Sequence, residues 1–457
     1  MYVCGPTVYD LLHVGNFRGA IFFNLVRHWL ERLGYKVNFV YNYTDIDDKI
    51  IKRAQEEGCA PLELSQKYIK GFEKDYARLK LAPHEANPRC TEYIGEMVGF
   101  IEELVNQGRA YVIDGSVFYS IDLFESYGGL SGKNIDELQA GHRVDPDPRK
   151  KNLLDFILWK PSKEGEPSWD SPWGSGRPGW HIECSCMSRI LLGDTIDIHG
   201  GGLDLIFPHH ENEIAQSQGA TGHPLARYWM HNNFIHFGKE KMSKSQGNIV
   251  KGRDFMDRYH PEVLKYMILS VHYRSILNLD KIQIDQAIAG ITRIYSALAV
   301  AGQIGFDGVS DEVFVHKLAE SDRMIEEALN DDFNTPAMFA AIFDVVRTFN
   351  ASYEKGKQPD LYVKGRAKVF CEWLKKYGNV MSLFQEPPVE FLRRLDLILM
   401  EDKNITAGEI EAMLEERNRA REARDFKKAD DIRNKLSNLG ILVQDSSEGT
   451  SWEVKKG

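Results

Sequence analysis

The sequence predicts an α/β protein in which a parallel-sheet domain is followed by an α-helical bundle and a small mixed α/β C-terminal domain, and three observations predict it. The opening alternates short apolar runs with helical spacing: MYVCG, then a helix over 21–33, then VNFVYNYT. That β-α-β order implies a parallel sheet. Beyond about Pro261 the apolar residues recur at threes and fours through ITRIYSALAV, MFAAIFDVV and VFCEWLKKY, as in packed helices. After Thr406 two charged helical stretches lead into GILVQDSSEGTSWEVKK, which alternates like a hairpin around a Ser/Glu/Gly turn.

Between these regions, glycine and proline crowd into 160–179, an irregular bridge. A second strand and helix region follows, with DTIDIHGGG as a strand, HHENEIAQS as a helix and NNFIHF strand-like. At 457 residues, 43% of them hydrophobic, the chain can bury several cores, and ~100–200 residues per domain gives two to four of them. No run approaches the ~18 apolar residues of a membrane span, and MYVCGPTVYD lacks the sections of a signal peptide. A cytoplasmic chain without a membrane is therefore expected. Six irregularly spaced cysteines fit reduced thiols, some of them metal-bound, better than a disulfide framework. A net charge of -10 excludes a generic polyanion binder, so any RNA contact needs local basic surface. Arg417, Arg419, Arg421, Arg424, Lys427, Lys428, Arg433 and Lys435 offer one, although interleaved acids also fit a solvated helix.

Two segments suggest nucleotide chemistry. PTVYDLLHVGN sets His13 and Gly15 after a strand and before a helix, where glycine permits close backbone approach and N-terminal amides favour phosphate. KMSKS, 241–245, places two lysines where they can neutralise charge moving onto a leaving pyrophosphate. No GxGxxG follows the first strand, which disfavours a dinucleotide site. Metal ligation is a further reading: Cys4 ends the first strand, Cys184 follows GWHIE, and His209 and Glu213 are four apart on a predicted helix face. Cys186, His181, His199 and His210 compete as ligands, and buried cysteines are also ordinary core residues.

HVGN and KMSKS, in this order and more than two hundred residues apart, resemble the His-Ile-Gly-His and Lys-Met-Ser-Lys-Ser signatures of class I aminoacyl-tRNA synthetases. The fourth position of the first is Asn16, which donates hydrogen bonds to phosphate without a histidine's charge. The resemblance implies a Rossmann-type catalytic domain with an insertion, and an ATP site at His13, Gly15, Asn16, Lys241, Ser243 and Lys244. MYVCGPTVYD, NYTDIDDKI, GRPGWHIECS, DIHGGG, FPHHENEIAQS and HYRS are similar to blocks of the cysteinyl-tRNA synthetase family, in its order. That similarity implies a zinc ion on Cys4, Cys184, His209 and Glu213, a cysteine pocket lined by Thr44 and Trp180, and Mg2+ accompanying ATP.

It also implies a division into catalytic halves at 1–90 and 171–250, a connective insertion at 91–170, a stem-contact region at 251–285, a bundle at 286–400 and an anticodon-binding domain at 401–457. The partners would be L-cysteine, ATP and tRNA(Cys), the last touched by Arg417, Arg421 and Trp452 of a monomer; Trp452 equally fits a hairpin cover. Zinc makes physical sense here, because pocket shape separates near-isosteres such as cysteine and serine by only ~10–200-fold, whereas thiolate ligation favours sulfur outright. No editing domain is then expected. Two alternatives share the motifs: a cysteine ligase of mycothiol biosynthesis, which would lack the anticodon-binding domain, and a noncatalytic RNA-binding paralogue.

Overall fold

The structure, a computed structural model, describes residues 1–133, 147–237, 240–241, 250–354, 356–401, 403, 405–446 and 449–456, with only the main chain at 240, 241 and 446. The chain divides into two compact units. The first comprises Met1–Phe23, Leu33–Ala77 and Leu81–Phe234, and the second Asn24–Arg32, Arg78–Lys80 and Ile235–Gly457.

From the N-terminus, β1 (Tyr2–Val3) leads through α1 (Val14–Arg32), whose residues from Asn24 on count with the second unit, to β2 (Val40–Tyr41), and then to α2 (Asp48–Glu57), α3 (Pro61–Arg78) and α4 (Ile94–Asn106). Strands β3 (Ala110–Ile113), β4 (Ser116–Tyr119), β5 (Phe156–Pro161) and β6 (Gly176–Pro178) form an antiparallel sheet in that order. The chain then returns through α5 (Trp180–Leu192), β7 (Ile196–Gly202), α6 (Glu211–Thr221) and β8 (Ala226–Asn232). The parallel sheet has the order β2-β1-β7-β8, with Tyr2 beside Val40 on one side and His199 on the other. A parallel sheet is covered on both faces, so its strands carry apolar residues on both. Tyr2, Val3, Val40 and Ile196 are accordingly buried, and Tyr2, Val40 and Ile196 pack in one core with Ile182, Met187, Leu158 and Trp159. Each such aliphatic side chain contributes about 1.5–3 kcal/mol.

The helix expected over 21–33 begins seven residues earlier, at Val14, where the Asn16 side chain accepts the His13 N–H and closes the first turn. NNFIHF is not one strand: β8 ends at Asn232 and β9 (Ile235–Phe237) starts a separate sheet of order β10-β9-β11, with β10 (Glu240–Lys241) and β11 (Leu277–Asn278). Part of 160–179, read as irregular, pairs Lys160 with Arg177 across β5 and β6.

The second unit continues through α7 (Gly252–Tyr259) and α8 (Pro261–Leu269) into α9 (Lys281–Ile304), α10 (Glu312–Asn330), α11 (Thr335–Ala351), α12 (Leu361–Met381) and α13 (Pro388–Met400). Asp280, Asp311, Asn334 and Asp360 cap α9 to α12 in turn, each side chain accepting a backbone N–H of the first turn. Each cap is worth about 1 kcal/mol over alanine. Among the described residues only α9 is long and apolar enough to cross a membrane; Ile288, Ile291, Ile294 and Tyr295 of that helix are buried within the protein. Last come α14 (Ala407–Glu422), α15 (Phe426–Asn438) and the hairpin β12 (Ile441–Ser446) and β13 (Gly449–Val454). Thr406 and Glu409 form a reciprocal capping box at α14, and the hairpin pairs without a slip from Ile441–Val454 to Ser446–Gly449.

His260, between α7 and α8, sits at φ 80 and ψ 141, a conformation that side chains with a Cβ rarely adopt. Its ring is buried, accepts the Glu262 N–H at 3.2 Å and meets Phe391 edge-on.

Candidate active site

Four side chains from three parts of the first unit converge. Cys4 follows β1, its N–H held by the Gly200 carbonyl of β7 at 3.0 Å. Cys184 lies in α5, His209 in the turn Ile206–His210 that precedes α6, and Glu213 in α6. The Cys4 sulfur stands 3.6 Å from the Cys184 sulfur, 3.6 Å from His209 Nε2 and 3.6 Å from Glu213 Oε1. A tetrahedron built on Zn–S of ~2.3 Å and Zn–N or Zn–O of ~2.0–2.1 Å has edges near 3.5 Å. The donor set and its spacing therefore fit zinc, and the four ligand atoms lie within 4.8 Å of one another.

The electrostatics are those of an anionic pocket. Burial pushes the Cys4 thiol up, with Cys184 and Glu213 adding to it. Burial also acts upward on Cys184, but the Cys4 hydrogen bond and His209 overcome it and bring that thiol down to about 6. Burial opposes the charged forms of Glu213 and His209 too. Even so, His199 and His209 hold the Glu213 carboxyl well below the usual range, and Glu213 with Cys184 raises His209 to about 10. The raised His209 imidazolium sets a positive charge beside the sulfurs and the carboxylate.

The residues around the four fix their orientation. His209 Nδ1 meets His181 Nδ1 at 2.9 Å, which leaves Nε2 for the pocket, and the Trp180 ring stacks on His209 with centroids 4.3 Å apart. Thr44 is buried, and its hydroxyl donates to Glu183 Oε2 at 2.8 Å. Of the rival ligands, Cys186 stands apart from the cluster in the core, its thiol pushed up to about 12 by burial and then by Glu96. His199 Nε2 meets Glu213 Oε2 at 2.7 Å. His210 pairs with His231, a residue no sequence signal had marked, through Nδ1 and Nε2 at 2.8 Å. The only hint lay in the density of histidines in PHH and WMHNN.

The turn before α1 explains Asn16. Its side-chain oxygen accepts the His13 N–H at 3.0 Å while its own N–H donates to the His13 carbonyl at 2.9 Å. Asn16 thus closes the helix start, and its amide nitrogen remains chemically able to donate. A Cβ on Gly15 would lie 2.9 Å from the His13 ring, so the imidazole occupies the space a side chain would need. In the second unit, the main chain of Lys241 pairs with His236 in β10; Ser243 and Lys244 lie outside the described residues.

At the C-terminus the arginines of the charged helix meet an acid of the hairpin. Arg417 is buried, and its guanidinium grips Asp445 through both oxygens at 2.8 and 2.7 Å. Arg421 reaches the same carboxylate at 2.9 Å, so Asp445 draws on both cations. Spacing along one helix could not reveal a partner on the hairpin. Trp452 packs partly buried against the core of this domain, beside Val443. Arg419, Arg424, Lys427, Arg433 and Lys435 remain exposed.

The sequence matches the family description "tRNA synthetases class I (C) catalytic domain" over residues 1–289, "DALR domain" over 325–385 and "Cysteinyl-tRNA ligase anticodon binding domain" over 406–452. It is 52% identical to the cysteine–tRNA ligase of Bdellovibrio bacteriovorus and 46% identical to that of Geobacter sulfurreducens, in each case over 100% of this chain and 95% of the relative. Methionyl-tRNA synthetase of Mycobacterium tuberculosis, solved with methionyl-adenylate, shares the fold at a TM-score of 0.62, with 17% identity over 87% of this chain and 93% of that one.

Proposed function

The chain belongs to the cysteinyl-tRNA synthetases, and from that premise we propose that it activates L-cysteine with ATP and transfers the product to tRNA(Cys). The observation that carries the proposal is the convergence of Cys4, Cys184, His209 and Glu213 at 3.6 Å from the first sulfur, a set that selects a thiol over a hydroxyl. A zinc ion held by these four would supply Lewis acidity and an affinity for sulfur.

The chain's own groups position and stabilise. Thr44, its hydroxyl proton committed to Glu183, offers oxygen lone pairs to the ammonium of the amino acid. Trp180, stacked on His209, walls the pocket. The cysteine carboxylate attacks the α-phosphate of ATP in line, giving the adenylate and pyrophosphate, and no enzyme nucleophile is needed. His13, Gly15 and Asn16 at the start of α1 hold phosphate oxygens, and Lys241, Ser243 and Lys244 take up the charge on the departing pyrophosphate, with Mg2+ accompanying ATP. A terminal ribose hydroxyl of the tRNA then accepts the acyl group.

On this reading 1–90 and 171–250 form the catalytic halves, 91–170 the insertion, 251–285 the stem contact, 286–400 the bundle and 401–457 the anticodon reader of a cytoplasmic monomer. Its tRNA contacts are assigned to Arg417, Arg421 and Trp452 with the exposed cations beside them, Arg417 also holding Asp445. The match to an anticodon-binding domain favours the synthetase over a mycothiol-type ligase. Cysteine-dependent exchange of pyrophosphate into ATP, followed by aminoacylation of tRNA(Cys), tests the proposal. Exchange without charging would favour the ligase, no exchange the noncatalytic paralogue, and serine activated as well as cysteine would remove the role of the metal.

A further inference from the structure

Glu213 faces two groups of nitrogen ligands at once. Its Oε1 points to His209 at 2.9 Å, and its Oε2 to His199 at 2.7 Å. On the second side a complete alternative set exists: one ligand atom each from Cys4, His199, His210 and Glu213 lie within 4.8 Å of one another. Both histidines of this set are oriented from behind, as metal-binding imidazoles are. His199 Nδ1 faces the Tyr2 carbonyl at 3.1 Å, an acceptor only, so the hydrogen sits on Nδ1. His210 Nδ1 pairs with His231 Nε2 at 2.8 Å, and His210 Nε2, fully buried, has no hydrogen-bond partner among the described residues. Such an orphan is costly unless something ligates it. Gly201 makes the arrangement possible, since a Cβ there would sit 3.1 Å from the His210 ring.

We propose that this pocket offers its divalent ion a second binding register on Cys4, His199, His210 and Glu213, sharing Cys4 and Glu213 with the first. The inference rests on the zinc reading above and deepens it. Charge distinguishes the registers. Two thiolates and a carboxylate leave a divalent ion with one surplus negative charge, whereas one thiolate and a carboxylate neutralise it, and a neutral buried group is the less costly. The two sets differ in Cys184 and His209 against His199 and His210, so a bound ion could pass from one to the other while Cys4 and Glu213 hold it throughout. The second register thus keeps the ion on the protein when Cys184 is not available as a ligand. A one-sulfur, two-nitrogen, one-oxygen set suits Zn2+ and its spectroscopic substitute Co2+.

The test strips the full chain of metal and titrates it with Co2+, reading the sulfur-to-cobalt charge-transfer band, with Zn2+ affinity taken from competition with a chromophoric chelator. The parent should bind with a two-sulfur band. Cys184→Ser should still bind stoichiometrically, with about half that band and an affinity lower by roughly 10–100-fold. Adding His210→Gln to Cys184→Ser should then abolish stoichiometric binding. The proposal is overturned if Cys184→Ser, with the parent's circular dichroism, binds no cobalt, or if His210→Gln leaves its affinity unchanged. Should Cys184→Ser fail to fold, His209→Gln carries the same comparison: its cobalt binding must weaken when His210→Gln is added, and indifference overturns the proposal. Absence of metal binding in the parent would instead remove the zinc reading itself.

Discussion

His209 Nε2 and Glu213 Oε1 stand 2.9 Å apart although His209 belongs to the turn before the helix that carries Glu213. The pair meets because that turn leads directly into α6, so four residues of separation bring the two side chains together as they would within a helix. Against burial, Glu213 raises the His209 imidazole to about 10, so the contact has the character of an ion pair, and a divalent ion bound by these two groups would displace its proton.

Cys4 is common to both ligand sets, and Cys184 belongs to one. Cys4→Ser should therefore take bound zinc from stoichiometric to trace, where Cys184→Ser only weakens it. Cysteine-dependent ATP–pyrophosphate exchange in Cys4→Ser should fall by about a hundred- to a thousandfold in kcat/KM, the value of a Lewis acid worth several kcal/mol. Metal content measured by atomic emission, alongside exchange rates, checks this; full zinc occupancy in Cys4→Ser would contradict it.

Asn16 closes the first turn of α1 through its side-chain oxygen. Asn16→Asp keeps that acceptor and should leave thermal stability near the parent's, yet with ATP bound as proposed the new carboxylate should repel its phosphates and slow adenylate formation by at least about tenfold. Asn16→Ala should do the opposite to stability, losing about 0.5–2 kcal/mol. Calorimetry paired with pre-steady-state adenylate formation separates the two, and equal stability losses in both variants would dismiss the capping role.

Burial, opposed by Glu386 and reinforced by Arg394, Lys265 and Lys80, brings the His260 imidazole down to about 4. The folded chain then binds fewer protons than the unfolded one between about pH 4 and 6.5. The stabilisation is complete above 6.5 and drains away as pH falls toward 4, by up to about 3 kcal/mol. His260→Asn, which tolerates positive φ, should be less stable than the parent at neutral pH, with a gap that narrows on acidification. Urea unfolding across this range measures it, and parallel curves would reject it.

Arg417 and Asp445 tie α14 to the C-terminal hairpin. Arg417→Lys keeps the charge but loses the two-oxygen grip, and should cost about 1–2 kcal/mol given the partial exposure of the carboxylate. Arg417 holds the Asp445 carboxyl well below the usual range, burial notwithstanding. The contribution is therefore present above an ordinary aspartate's pKa of about 3.9 and is lost as pH falls below it. Hydrogen exchange at amides of 441–454 in the full chain should quicken in the variant. Unchanged exchange with a weakened tRNA affinity would limit Arg417 to the RNA surface.

Sequence patterns carried the parts whose signal is local. Thr406 and Glu409 announce their helix within four residues, and the hairpin over 441–454 alternates long enough to be read. The sheet β3–β6 escaped because its strands run only 3–6 residues, too short for a period to emerge. In the pocket, residue chemistry left Cys186, His181, His199 and His210 as rivals and the family resemblance pointed to Cys4, Cys184, His209 and Glu213, while the roles of His181 and His231 depend on which ring nitrogen faces which neighbour. Backbone packing decides that, as it decides that Asp445 lies against Arg417.

The Cys4 main chain is locked to Gly200, nearly two hundred residues downstream. During translation at ~5–20 residues per second, β1 must therefore wait roughly 10–40 s for its neighbour β7 to leave the ribosome. Through that interval the first thiol of the pocket travels on a nascent chain, open to chaperones and oxidants, before any lattice of ligands can shelter it.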